Sequence, residues 1–205
     1  MEARVQACVG CHGQQGRGVD DVYFPRLAGK PAGYLYNQLV AFRNGSRKYA
    51  PMNYLLAYLP DPYLQQMAQY FAVQDTPGPA PVRPTASVAV LSAGHDIVSN
   101  GLPGQHVPAC VACHGTALGG RQPGIPGLLG LRADYISAQL GAWRYGTRTA
   151  IAPDCMQIIA ASLTESQVSA VAAWLASQGG AVVTPVQTQA GTAAPRLPLA
   201  CGSQK

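Results

Sequence analysis

The amino-acid sequence predicts an all-α fold made of two tandem copies of one domain, joined by a proline-rich linker. The two halves of the 205-residue chain align with each other, Cys8 with Cys110 and Tyr34 with Tyr135, at offsets of 102 and 101 residues. Apolar residues recur at helical spacing in both halves, and no segment alternates for long enough to indicate a sheet. Repetition at a fixed interval is the signature of a duplicated structural unit.

The predicted domain bounds follow from this alignment. Four prolines in nine residues, over 76–84, cannot continue a helix and favour an extended, fairly stiff connector. We therefore expect a first domain at 1–75, a linker at 76–86, a second domain at 87–180 and a C-terminal tail at 181–205. The tail is rich in Thr, Gln, Ala and Pro, which fits either a mobile segment or a strap across the domains.

Each copy is expected to contain two principal helices. They are predicted at 34–44, 62–73, 135–145 and 164–178. The last of these has a defined start, because Thr164 is followed three residues later by Gln167, the pattern of a capping box.

A Cys-x-x-Cys-His motif opens each copy, at 8–12 and at 110–114. This motif is the attachment pattern of c-type haem, in which both thiols add to vinyl groups and the histidine is an axial ligand of the iron. A zinc ribbon would place its two cysteine pairs about 15–20 residues apart, whereas Cys11 and Cys110 are 99 residues apart. The sequence therefore predicts two covalently bound haem c groups. Their attachment residues are Cys8, Cys11, Cys110 and Cys113, and their proximal ligands are His12 and His114.

A methionine near the end of each copy is the expected distal ligand. Met52 lies 40 residues after His12, and Met156 lies 42 residues after His114, both on proline-containing loops. A methionine normally packs in the core, and that role fits Met67 inside a predicted helix. A thioether ligand favours ferrous iron and raises the reduction potential, and two filled axial positions leave little room for oxygen chemistry.

Cys155, beside Met156, leaves three alternatives open at the second site. Its thiolate would be an iron ligand that lowers the reduction potential. A disulfide with Cys201, the other spare cysteine, is favoured by an oxidising compartment. A free thiol is the third alternative.

Residues that recur in both copies are candidates for the haem environment. Pro25 follows His12 by 13 residues and Pro126 follows His114 by 12, so a loop carbonyl is expected to accept the hydrogen bond from each histidine's second ring nitrogen. Buried propionates need partners, and arginine offers a fork that suits a carboxylate. Solvated surface positions are the alternative for these arginines. The recurring polar residues are Tyr34, Tyr135, Gln38, Gln139, Arg43, Arg47, Arg144 and Arg148.

Composition excludes several classes of protein. The formal charge is +5, which haem propionates would largely offset, and no basic cluster is interleaved with aromatic residues, so nucleic acid is not an expected partner. No run of 18 apolar residues is present, so no membrane span is expected. Haem is attached outside the cytoplasm in bacteria, which predicts the periplasm. Only seven residues precede Cys8, so we expect Met1 to begin a trimmed or processed chain.

Together these motifs resemble the cytochrome c4 family, tandem class I dihaem cytochromes c of the bacterial periplasm. The resemblance covers about residues 5–180 and rests on both motifs with the glycine that follows them, and on the segments 24–30, 34–39, 42–45 and 107–110. It implies two class I cytochrome c domains related by a pseudo-twofold, His/Met irons, and delivery of electrons to a terminal oxidase or another redox partner. The chain departs from the family in its short N-terminal segment, in Cys155 and in its tail.

The expected function is that of an electron carrier and not of an enzyme. We expect it to shuttle single electrons from a periplasmic dehydrogenase or quinol-oxidising complex to a membrane oxidase or other acceptor, as a soluble or peripherally membrane-associated protein. One alternative is a dihaem enzyme such as a thiosulfate dehydrogenase with a Cys155-ligated haem. Another is the cytochrome subunit of a larger dehydrogenase, to which the tail would attach it.

Overall fold

The structure is a computed structural model, and it describes residues 1–21, 23–78, 80, 83–179 and 196–204. Parts of the predicted linker and most of the predicted tail lie outside these residues. The described chain is predominantly helical and forms two copies of one arrangement, which confirms the all-α fold class.

The first copy places its N-terminal motif on a short helix above a two-helix core. Its α-helices in the described chain are α1 (Gln6–His12), α2 (Ala32–Arg43), α3 (Ala50–Leu56) and α4 (Asp61–Ala72). Helices α2 and α4 are the main packing pair, because their apolar faces meet in a core that contains Leu35, Phe42, Leu64 and Phe71. Val5 is fully buried in the same core and so anchors the start of α1.

The second copy repeats this order and adds a helix before its motif. Its α-helices in the described chain are α5 (Val88–Asn100), α6 (Cys110–His114), α7 (Ala133–Arg144), α8 (Cys155–Ser162) and α9 (Glu165–Ser177). Helices α5 and α9 cross so closely at Gly94 that a Cβ there would overlap the carbonyl oxygen of Ala170. The glycine therefore permits the tightest helix contact in this copy.

A two-stranded antiparallel sheet corrects the expectation that no sheet is present. Strand β1 (Gly120–Arg121) pairs with β2 (Ile125–Pro126). Each strand has only two residues, which is too short for an alternating pattern to be visible in the sequence. Gly120 has a φ of +94°, and a Cβ there would lie 2.6 Å from the Gly127 nitrogen, so glycine is required for this turn.

The four predicted helices correspond to α2, α4, α7 and α9, each within two residues of its expected bounds. The capping box at the start of α9 is confirmed. Thr164 Oγ1 accepts a hydrogen bond from the Gln167 backbone N–H at 3.2 Å, and Gln167 Oε1 accepts one from the Thr164 N–H at 2.8 Å.

The two copies meet about a pseudo-twofold at the segments that follow α2 and α7. Arg47 and Arg148, equivalent residues of the repeat, form an antiparallel backbone bridge to each other. Next to this bridge, the Thr149 N–H donates to the Ser46 carbonyl at 2.7 Å. The pairing of equivalent residues brings the ends of α2 and α7 together.

No single helix of the described chain has the length and apolar character needed to cross a membrane. Helices α8 and α9 reach that length and character only as a pair, and they are bent by 114° where they join.

Candidate functional site

The first candidate site begins with His12 at the end of α1. Its Nδ1 lies 2.8 Å from the carbonyl oxygen of Pro25. A carbonyl only accepts, so Nδ1 carries the hydrogen and Nε2 keeps the lone pair that a metal would take. Burial lowers the pKa of His12 and outweighs the Pro25 hydrogen bond, which acts to raise it. The imidazole is therefore held neutral and oriented, as an iron ligand must be.

The second candidate site has the same construction. His114 ends α6, and its Nδ1 lies 2.7 Å from the carbonyl oxygen of Pro126 in β2. Burial lowers the pKa of His114 against the effect of this hydrogen bond. The two histidines thus have equivalent partners, at the prolines that the sequence spacing indicated.

The two candidate distal ligands lie in the short helices that follow the Arg47–Arg148 bridge, and not on loops as the sequence indicated. Met52 is in the first turn of α3, and Met156 is the second residue of α8. Asp154 caps α8, because its Oδ1 accepts from the Gln157 N–H at 3.1 Å and its Oδ2 accepts from the Ala150 N–H at 2.7 Å. This cap fixes the turn that presents Met156.

Both candidate sites open into one continuous cavity of about 1200 Å³. A site for one drug-sized ligand usually occupies about 300–1,000 Å³, so this cavity has room for more than one such group. Its lining includes both cysteine pairs, both histidines and both candidate methionines. Aliphatic and aromatic side chains from α2, α3 and α7 complete the walls.

The residues around the cavity fit covalently attached haem. The cysteines of both motifs are free thiols, not disulfides, and burial raises the pKa of Cys8 and raises that of Cys110 to about 11. Among the residues that the structure describes, no group of three or more His, Cys, Asp or Glu side chains could hold a bare metal ion. A porphyrin supplies the equatorial nitrogens itself and so removes that requirement.

Two of the four candidate propionate partners lie away from the cavity. The Arg43 guanidinium donates to the Leu59 carbonyl at 2.7 Å and to Asp61 Oδ1 at 2.5 Å. Arg144 donates to the Leu163 carbonyl at 2.9 Å. Both arginines tie the end of one helix to the start of the last helix in their copy, and neither lines the cavity. Their expected place in the haem environment is therefore corrected to a structural one.

The other two arginines meet at the pseudo-twofold inside the cavity wall. Arg47 and Arg148 are 8% and 3% exposed, which rules out the solvated alternative. Each guanidinium bonds to the glutamine of its own copy and to the tyrosine and glutamine of the other. The donor–acceptor distances are 2.9 Å for Arg47 to Gln38, 2.9 Å to Tyr135 and 2.7 Å to Gln139, and 2.8 Å for Arg148 to Gln139, 3.4 Å to Tyr34 and 2.7 Å to Gln38.

This network concentrates positive charge. Neither Arg47 nor Arg148 takes part in any of the ion pairs of the described residues. Burial, followed by repulsion from Arg47, lowers the pKa of Arg148 to about 10. Burial acts to raise the pKa of Tyr34, but Arg148, Arg47 and Lys30 outweigh it and lower that pKa below its ordinary value. The cavity wall at the pseudo-twofold is therefore a site that favours anions.

Cys155 and Cys201 form a disulfide that closes 46 residues of sequence. Of the three alternatives for Cys155, the structure has this one. The Gly202 N–H donates to the Pro153 carbonyl at 2.9 Å, and a Cβ on Gly124 would overlap the Ser203 carbonyl oxygen. The end of the chain is thus wedged between the loop before Met156 and the hairpin that carries Pro126, as a strap on the second site.

Sequence reasoning missed Lys30. Its Nζ donates to the Gly127 carbonyl of the other copy at 2.8 Å, across 97 residues of sequence. Lys30 lies within one of the segments that recur, but the equivalent residue of the second copy is Leu131. This break in the repeat was the one available signal.

The comparisons with known proteins agree with this geometry. The family model described as "Cytochrome c" matches residues 3–75. The chain is 38% identical over 173 residues to the "Thiosulfate dehydrogenase electron acceptor" of Stutzerimonas stutzeri, covering 84% of this chain and 79% of that protein. It matches the crystal structure of reduced recombinant cytochrome c4 from Pseudomonas stutzeri at a TM-score of 0.74 and 31% identity, covering 86% of this chain and 95% of that one.

A longer solved chain matches as well. The thiosulfate dehydrogenase TsdBA from Marichromatium purpuratum aligns at a TM-score of 0.75 and 30% identity, over 82% of this chain. This chain spans only 36% of that chain's length. On identity, coverage and fold, the protein belongs to the cytochrome c4 family of tandem class I dihaem cytochromes, electron carriers with covalently bound haem c.

Proposed function

We propose that this protein is a periplasmic carrier with two covalently bound haem c groups that shuttles single electrons between redox proteins. The observation that carries the proposal is one cavity with two equivalent half-sites, each with a pair of free thiols, an oriented neutral histidine and a methionine. When bound, each haem supplies a one-electron iron couple. Protein side chains at both axial positions favour electron transfer over oxygen or peroxide chemistry.

Each half-site has its own ligand set. His12 and Met52 would be the axial ligands of the first centre, and His114 and Met156 those of the second. The thioether bonds would form through the cysteines of the two motifs, Cys8 and Cys11 in the first and Cys110 and Cys113 in the second. The carbonyls of Pro25 and Pro126 hold the two imidazole rings and make them more basic ligands.

The buried network around Arg47 and Arg148 supports a position for the haem propionates. Arg47 and Arg148 line the cavity at the point where the two half-sites meet, and Tyr34 and Tyr135 lie beside them. Buried guanidinium groups without a carboxylate partner are costly unless an anion offsets them. We assign the propionate-bearing edges of the two haems to this wall.

The donor that the relatives favour is a thiosulfate-oxidising dehydrogenase. This chain resembles both a thiosulfate dehydrogenase electron acceptor and part of a thiosulfate dehydrogenase chain. Both likenesses support a role as the acceptor of electrons from such an enzyme, with a membrane oxidase or other acceptor downstream.

Reduction by a separate dehydrogenase tests this role. Oxidised holoprotein, mixed anaerobically with a thiosulfate dehydrogenase catalytic subunit and thiosulfate, is expected to take up one electron per haem, measured from the ferrous haem absorbance. The same mixture without the catalytic subunit is the control and should stay oxidised. Thiosulfate oxidation by the holoprotein alone would overturn the carrier role. Reduction only by a quinol-oxidising complex would overturn the choice of donor.

The enzyme alternative requires a Cys155 thiolate on the second iron. The disulfide with Cys201 argues against this, because a bridged sulfur is no longer a thiolate. In Cys155→Ser, both reduction potentials are therefore expected to stay nearly unchanged in a spectroelectrochemical titration. The free energy of unfolding is expected to fall by about 2–4 kcal/mol, because the bridge closes a long loop.

Cys201→Ser is the matched control, since it breaks the same bridge and leaves Cys155 in place. Its loss of stability should equal that of Cys155→Ser. A large potential shift at one centre in Cys155→Ser would favour the thiolate-ligated enzyme instead.

A further inference from the structure

A lysine of the first domain reaches the histidine loop of the second. Lys30 is 8% exposed, and its Nζ donates to the Gly127 carbonyl at 2.8 Å. Gly127 directly follows Pro126, whose carbonyl lies 2.7 Å from His114 Nδ1. Lys30 also lines the haem cavity. One ammonium group therefore lies a single residue from the hydrogen bond that orients the second proximal ligand.

This contact has no counterpart at the first site. The repeat-equivalent residue of Lys30 is Leu131, which carries no charge. The nearest cation in sequence, Arg26, donates to Thr76 within its own copy, through its carbonyl at 2.6 Å and its Oγ1 at 3.3 Å. Arg26 is itself buried and directly follows Pro25, so both histidine loops lie beside a buried cation: an arginine of the same copy at the first site and a lysine of the other copy at the second.

The ammonium charge acts at short range and with little screening. Lys30 takes part in none of the ion pairs of the described residues, and it is buried, so its field is weakly screened by water. Burial lowers the pKa of Lys30 to about 8, helped by Arg26 and opposed by Tyr34, which leaves the amine mostly protonated at neutral pH.

We infer that Lys30 is a positioning residue that raises the reduction potential of the second centre. A nearby positive charge disfavours ferric iron relative to ferrous iron, which has one positive charge less. The inference rests on the proposed function, because it requires a His114-ligated haem.

Lys30→Met removes the charge and keeps most of the aliphatic length. The ferrous-to-ferric ratio of the second centre at a fixed ambient potential is expected to fall roughly tenfold, about 59 mV for a one-electron couple. The first centre should change less than about twofold. The measurement is a spectroelectrochemical titration of the holoprotein, in which Met52→Leu and Met156→Leu identify which step belongs to which haem.

Lys30→Arg is the matched variant, since it keeps the charge and changes the shape. It should retain the potential of the second centre, whereas a purely structural lysine would give equal shifts in both variants. Lys30→Gln gives the same test if the methionine variant does not fold. Equal shifts at both centres, or none, would overturn the inference. The proposed function would be overturned instead by a wild-type holoprotein with a single haem by mass, or by one whose methionine–iron absorption band has less than the intensity of two haems.

Discussion

Met52→Leu is expected to lower the reduction potential of the first haem by a few tenths of a volt, because axial ligand identity sets the potential over a range of about 0.8 V. A thioether stabilises ferrous iron, and leucine supplies no ligand atom. The weak red absorption band of the ferric methionine–iron bond should fall to half its intensity, while the second centre keeps its own potential. Spectroelectrochemical titration and the ferric absorption spectrum measure both effects.

Met67→Leu is the matched control for this substitution. Met67 lies in α4 and is 3% exposed within the first core, and a swap between residues of similar volume usually costs less than about 1.5 kcal/mol. It should leave the band and both potentials intact. If Met52→Leu behaves like Met67→Leu, Met52 is a packing residue and not a ligand.

Met156→Leu is the same experiment at the second centre. It should remove the other half of the band and lower the other potential. A band that survives at full intensity in this variant would exclude Met156 from the second iron.

Arg148→Met is expected to lower both potentials by similar amounts and to reduce the free energy of unfolding by about 2–3 kcal/mol. The guanidinium donates to the glutamines of both copies and lies 3.7 Å from the centre of the Trp143 ring. Its loss removes charge-assisted hydrogen bonds and a cation beside the proposed propionates. Both centres should respond, since the network lies on the pseudo-twofold between them. Denaturant titration and spectroelectrochemistry measure the two effects.

Arg144→Met provides the control for Arg148. Arg144 has the same charge and donates to the Leu163 carbonyl, but it does not line the cavity. It should lose stability with little change in either potential. Arg148→Lys keeps the charge and loses the planar fork, so it should keep the potentials and lose part of the stability. Unchanged potentials in Arg148→Met would refute the assignment of the propionates to this wall.

The Arg148 and Lys30 variants separate two electrostatic effects. Arg148 bonds to the glutamines of both copies, so its removal should shift both centres, whereas Lys30 contacts the histidine loop of the second copy and should shift one. If both substitutions only weakened the fold, both variants would lose free energy of unfolding. They would not differ in which haem changes its reduction potential.

Local features of this protein could be predicted from the sequence because their causes lie within a few residues. The Cys-x-x-Cys-His motifs need only one helical turn to present two thiols and an imidazole. Four of the nine α-helices of the described chain were predicted within two residues, because apolar spacing marks them and a capping box marks the start of the last one. The hairpin at 120–126 was missed, because two-residue strands leave no pattern to detect.

The repeat also allowed the carbonyls of Pro25 and Pro126 to be predicted as hydrogen-bond acceptors for His12 and His114. A loop of 12 or 13 residues limits how far each proline can lie from its histidine. The repeat did not separate the four arginines. Arg43 and Arg47 are four residues apart and both recur in the second copy. Arg43 nevertheless donates a hydrogen bond to the Leu59 carbonyl of its own copy, whereas Arg47 donates one to Gln139 of the other copy. The direction of each side chain depends on how the two copies dock.

The sequence by itself determined the family, the two haem motifs, four of the helices and the duplication, because each follows from local spacing or from the repeat. Only the tertiary structure decided that Cys155 is bridged to Cys201, which arginines face the cavity and that Lys30 crosses to the second site. These contacts join residues 46 to 97 positions apart. Their partners are chosen by how the two copies dock and by how residues 202–203 pack on the second copy, and no local pattern encodes that packing.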